Sequence, residues 1–147
     1  MTTSKSDAEA HPGALIDSGH PARAQQRLWR AVAATIMAGI FAQAISAGAL
    51  LSGADWAQAA HRGMAAALIV SALVAGVVAV ITLRKVTHGT RFGMTLLTLA
   101  VLIFLQAAVG KSIAQGATLM WIHVPLGVAL VGFAGLALTS ARRLGTH

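Results

Sequence analysis

Four long stretches of the chain, 31–51, 63–83, 92–110 and 117–139, contain no aspartate, glutamate, lysine or arginine. Each is close to the 20 or so apolar residues that a helix needs to cross the hydrocarbon core of a bilayer. A backbone in that core must satisfy its own N–H and C=O groups, which leaves only helices and closed barrels. These runs are too long and continuous for the alternating segments of about ten residues that build a membrane barrel. The expected fold is therefore all-α, an integral membrane bundle of four transmembrane helices. Composition agrees: 10% of the 147 residues are charged and 56% are hydrophobic, against roughly 25% charged in a soluble domain. The spans leave no room for a separate soluble domain, so any function must sit in or beside the membrane.

The first 26 residues are polar or small, include Pro12, Gly13 and Pro21, and lack the apolar run of a signal peptide. They are expected to form a disordered cytoplasmic tail, followed by a transmembrane domain over 27–143 and a short tail over 144–147. Basic residues in short loops favour the cytoplasmic side. Lys5, Arg23, Arg27 and Arg30 precede the first span, Arg84, Lys85 and Arg91 lie between the second and third, and Arg142 and Arg143 follow the fourth. Only Arg62 and Lys111 fall on the opposite side, so both termini are expected to be cytoplasmic, in a membrane of the bacterial inner type. Trp29 at one face and Trp56 and Trp121 at the other suit the interfacial preference of indole. The net charge of +7 forms no basic patch interleaved with aromatics, which argues against nucleic acid as a partner. With no cysteine, disulfides, thiolate metal sites, Cys nucleophiles and covalent c-type haem are excluded.

The chain reads as two copies of one helix pair. Gln43 in the first span is followed by Gly48 and then by His61 at the start of the second; Gln106 in the third is followed by Gly110 and then by His123 in the fourth. The step from glutamine to histidine is 18 positions in one half and 17 in the other. Four residues past each histidine, on the same helical face, stands a small residue, Ala65 or Gly127. A bundle with an internal two-fold repeat of helix pairs places both histidines at the outer end of the membrane, facing its axis. His11, His20, His88 and His147 fall elsewhere, so only one pair is suited to act together.

Two imidazoles opposed across a four-helix bundle suit an iron porphyrin, each giving one axial nitrogen to the metal. On this reading His61 and His123 are the metal ligands of one haem b, and Ala65 and Gly127 clear space for its ring. Arg62 and Lys111 pair with its propionates, and Gln43 and Gln106 hydrogen-bond a histidine ring nitrogen or a propionate. Each residue also has a plainer reading. The basic pair can anchor at the interface, the glutamines can staple helices, and a histidine so near the interface can simply hydrate. No catalytic residue is expected.

The pattern resembles one four-helix half of the heme A synthase family. Ser52-Gly53, Asp55-Trp56 and His61-Arg62 are similar to that family's SG, DWP and HR elements, and Gln106, Gly110 and His123 to its LQ, G and LH pattern, over roughly 36–135. The resemblance implies that His61 and His123 ligate one bis-histidine haem. Gln58 stands where the family has a glutamate, the loop cysteines are missing, and so is a second four-helix half. These departures weigh against hydroxylase activity. The leading expectation is a small membrane haem protein for electron transfer or haem handling, partnered by the lipid bilayer and by a redox protein or a second copy of the chain. The alternatives are a non-catalytic structural or assembly subunit and, third, a small transporter or channel. The last lacks any carboxylate at membrane depth, which leaves only the histidines to carry a proton.

Overall fold

The computed structural model describes residues 20–145 and consists of four helices. They are α1 (His20–Leu51), α2 (Ala57–Thr82), α3 (Gly89–Ala114) and α4 (Met120–Arg142). All four are long and apolar enough to cross a membrane. The 26 residues of α2 rise about 39 Å at 1.5 Å each, more than the hydrocarbon core requires.

Each helix packs on its chain neighbours, and α1 closes the ring against α4. The diagonal pairs α1 with α3 and α2 with α4 make no close backbone approach. The closest pair is α2 with α3, because two glycines notch the seam. A Cβ on Gly93 would fall 2.8 Å from the backbone nitrogen of Val80, and one on Gly76 would fall 2.7 Å from Leu97 Cδ2. Small residues at such crossings let two backbones approach, and the packing so gained replaces the hydrophobic drive that lipid removes.

The helix ends follow from local chemistry. The connections after α1 and α3 are built alike. Gly53 (φ 82°) and Gly116 (φ 99°) adopt the left-handed conformation that ends a helix. The next amides, of Ala54 and Ala117, return to the carbonyls of Ala49 and Ser112. At the other end of the bundle the α2–α3 turn places His88 in the left-handed region (φ 63°) just before α3.

The dense core fills the half of the bundle that holds the start of α1 and the end of α4. Trp29, Ala33 and Ile36 of α1 meet Phe92, Leu96 and Leu99 of α3 and Ala134, Ala137 and Ala141 of α4 there. The Trp29 ring stands edge-on to Phe92, with centroids 5.7 Å apart and planes at 72°. Trp29 is thus a core residue, not an interfacial anchor, because it shares the inward face of α1 with Ala33 and Ile36. Trp56 and Trp121 are exposed, at 61% and 73%.

The boundary expected at residue 26 falls inside a helix. Residues 20–26 belong to α1, and the Gln26 amide donates to the carbonyls of Arg142 (2.8 Å) and Leu144 (3.1 Å). The last carbonyls of a helix have no partner of their own, so the α4 end supplies acceptors that hold the start of α1 in place. The rest of the expected tail, residues 1–19, lies outside the described residues, as do 146 and 147.

Candidate functional site

His61 lies one turn into α2 and His123 in the first turn of α4, at the end of the bundle that carries the α1–α2 and α3–α4 connections. The two come from diagonal helices, both are half-buried, and each lies within electrostatic reach of the other. Packing is sparse around them. Within 41–67 and 104–129 only Ser46 and Ala57 are buried, whereas neighbours such as Ala47, Met64, Ala65 and Leu126 are only partly covered.

The glutamines act on the histidines through the backbone. Gln43 Nε2 donates to the carbonyl of His61 at 3.0 Å, and Gln106 Nε2 donates to the carbonyl of His123 at 2.9 Å. The same contact forms in both halves although the spacing differs by one residue. Neither amide meets a ring nitrogen, the first of the two partners expected from the sequence. A helical carbonyl keeps a second lone pair beyond its ladder bond, and that lone pair faces the neighbouring helix.

The imidazoles themselves are held differently. Nδ1 of His61 lies 3.0 Å from Ser46 Oγ. Nδ1 of His123 is buried with no hydrogen bond, as is Gln106 Oε1, and these are the only such side-chain atoms among the described residues. The His123 ring rests against Gly110, where an added Cβ would sit 3.0 Å from Cε1.

Gly127 stands beside the Gln106 amide, 3.2 Å from Nε2 to the position of an added Cβ, so the space it clears is taken by that side chain. Ala65 is partly buried, and Arg62 and Lys111 are exposed. Lys111 belongs to the last turn of α3. Gly48, paired with Gly110 from the sequence, is exposed with nothing near it. One extra residue turns it about 100° away, and the position four past Gln43 is Ala47.

Ser46 is the residue that sequence reasoning missed. Its signal was its place three residues past Gln43, on the same helical face, within a string otherwise read as small packing residues.

Among the described residues no three His, Cys, Asp or Glu side chains gather to hold a metal ion. Two imidazoles give an iron or zinc ion only half of a tetrahedral set. Clefts of about 160 and 130 Å³ open at the opposite end, beside Gln26 and Leu144 and beside His88 and Arg91. They contain none of these residues and are smaller than the usual 300 to 1,000 Å³ or so of a ligand pocket. No protein-family model, curated protein or solved structure matches the chain. The functional reading therefore rests on the geometry around the two histidines.

Proposed function

We propose that the chain is a small membrane protein that binds one b-type haem between α2 and α4, with His61 and His123 as its two axial ligands. The observation that carries this reading is the pairing of two imidazoles near the starts of diagonal helices that make no close backbone approach, in the sparsely packed half of the bundle. A macrocycle supplies the four equatorial nitrogens that the protein lacks, so two protein ligands suffice. The residues present fit such a group. Small and aliphatic side chains border the histidines, both Nδ1 atoms are turned into protein, and Arg62, which follows His61, and Lys111, which follows the Gly110 that the His123 ring rests on, could meet carboxylates at the aqueous edge. When bound, the iron supplies one-electron redox chemistry. The protein residues fix its position and exclude other ligands.

The matching glutamine contacts and the matching glycine caps after α1 and α3 support an internal two-fold repeat of helix pairs. The distribution of Arg and Lys supports a topology with both termini in the cytoplasm and the histidines near the outer face of a bacterial-type inner membrane. The role is electron transfer or haem handling for a membrane partner or a second copy of the chain. A second reading, a structural or assembly subunit, draws on one observation: both glutamine amides bond backbone carbonyls, as helix staples do.

Oxidised and dithionite-reduced visible spectra distinguish the two. Protein purified from a haem-replete membrane host should show a Soret band and sharp reduced α and β bands, lost in His61→Ala and in His123→Ala. A folded parent that stays colourless when haem is added refutes the haem reading and favours the structural one.

A further inference from the structure

The Ser46 hydroxyl faces three groups and has one proton. It lies 2.9 Å from the backbone carbonyl of Gln43, 3.3 Å from Gln43 Oε1 and 3.0 Å from His61 Nδ1. The two glutamine oxygens can only accept. If the hydroxyl proton went to His61, two oxygens would face Ser46 Oγ with no proton between them. If it goes to the Gln43 carbonyl, with the more distant Oε1 as the weaker branch of a shared bond, no short contact lacks a proton, provided His61 Nδ1 carries one and donates to Ser46. Gln43 Nε2 meanwhile donates to the His61 carbonyl, so one residue of α1 steadies both the backbone of His61 and the hydroxyl that meets its ring. Ser46 is 3% exposed, and water does not compete for these bonds.

We propose that Ser46 is a positioning residue that fixes His61 as its Nδ1–H tautomer and leaves the Nε2 lone pair turned to the space between α2 and α4. The second half lacks this device. Three residues past Gln106 stands Val109, which has no hydroxyl, and His123 Nδ1 is buried without a partner. The two imidazoles are therefore unequal donors. A ring whose far N–H is hydrogen-bonded is the more basic ligand and the better oriented one, so His61 binds a metal more strongly than His123. The tautomer stands on the hydrogen bonds alone, whereas the ligation rests on the haem reading above.

The test uses full-length protein carrying 15N-histidine, as parent, Ser46→Ala and Ser46→Thr. The measurement is made at about pH 8, above the ordinary imidazole pKa of about 6.5. Nitrogen chemical shifts give the tautomer of each ring without any haem. His61 should be Nδ1–H in the parent and in Ser46→Thr, which keeps the hydroxyl. In Ser46→Ala it should move toward the Nε2–H form that imidazole favours in water. A parent His61 that is Nε2–H, or one that Ser46→Ala leaves as Nδ1–H, overturns the proposal.

Haem titration of the same proteins should show roughly 10- to 100-fold weaker binding in Ser46→Ala. Its midpoint potential should be higher, because a poorer donor favours the reduced iron, and Ser46→Thr should restore both values. Unchanged affinity and potential in Ser46→Ala would refute the unequal-donor part. A parent that never takes up haem refutes the proposed function instead, while the tautomer still decides what Ser46 does.

Discussion

Gly110→Ala separates stability from ligand placement, because the two should move in opposite directions. Replacing glycine by alanine within a helix reduces the backbone freedom of the unfolded chain and favours the helix by about 0.5–1 kcal/mol. At Gly48, where nothing lies within 4 Å of an added Cβ, that gain should appear alone. At Gly110 the new carbon would stand 3.0 Å from His123 Cε1, whereas ordinary contact begins at 3.4 Å, so the ring must retreat by 0.4 Å or more. An imidazole can pivot about its side-chain torsions, so the helix survives. Cε1 lies between the two ring nitrogens, however, and Nε2 moves with it. Metal–ligand distances are held to within about 0.2 Å, and the displacement exceeds that tolerance. The expected result is a protein at least as resistant to thermal unfolding in detergent as the parent, with haem affinity lower by roughly 10- to 100-fold, the range seen when ligand support is lost. Gly48→Ala should match it in stability and bind haem normally. Thermal unfolding and haem titration of the three proteins in parallel provide the assay. A Gly110→Ala protein with parental affinity and spectrum would refute the placement of His123 as a ligand resting on that glycine.

Gly93→Ala should loosen the α2–α3 seam, since the added carbon meets Val80 Cγ2 at 2.6 Å and the Val80 backbone nitrogen at 2.8 Å, and turning the side chain relieves only the first. A loss of about 1–3 kcal/mol is expected in mixed-micelle unfolding, and Gly132→Ala, with nothing nearby, is the control that should show no loss. Gln43→Leu should destabilise more than Gln106→Leu in the same assay. Each loses an interhelical hydrogen bond worth about 0.6–1.7 kcal/mol, but Gln106→Leu also removes a buried Oε1 that has no partner. Equal losses would contradict that difference. His88→Gly should gain up to about 1 kcal/mol, because a left-handed residue with a Cβ is strained by roughly 1–2 kcal/mol. His88→Ala, which keeps the Cβ, should show no gain.

The four helices were legible because the bilayer demands a property that composition shows directly, some twenty residues without charge. Their ends were less so. Lys111 was read as lying beyond the third span, yet α3 runs on to Ala114, since a long basic side chain can reach the interface while its backbone stays helical. The start of α1 was hidden for a related reason. Residues 20–26 look like a polar tail, and what holds Gln26 is a pair of carbonyls more than a hundred residues away, which no local pattern announces. Trp29 and Trp121 are the same residue type with opposite fates, and only the packing of Ala33 and Ile36 on one face separates them. At the candidate site the histidines and glutamines could be picked out, because polar groups in an apolar run are few. What the amides bond could not, since a glutamine reaches a ring nitrogen and a carbonyl almost equally well from the same Cα. Ser46 went unseen because serine among alanines and glycines reads as a packing residue until its neighbours on α2 are known.

The glycine-notched seam between α2 and α3 makes the bundle a lever. From Gly76, at that seam, to His61 the helix runs 15 residues, or about 22 Å at 1.5 Å per residue. A tilt of about 5° at the seam would carry His61 roughly 2 Å sideways, about the length of an iron–nitrogen bond, and Leu83, on the short arm beyond the pivot, only about half as far. The same tilt therefore acts most strongly at the histidine end of the helix. Substitutions at Gly76 or Gly93, far from the histidines, should on this geometry displace His61 more than they displace the seam itself.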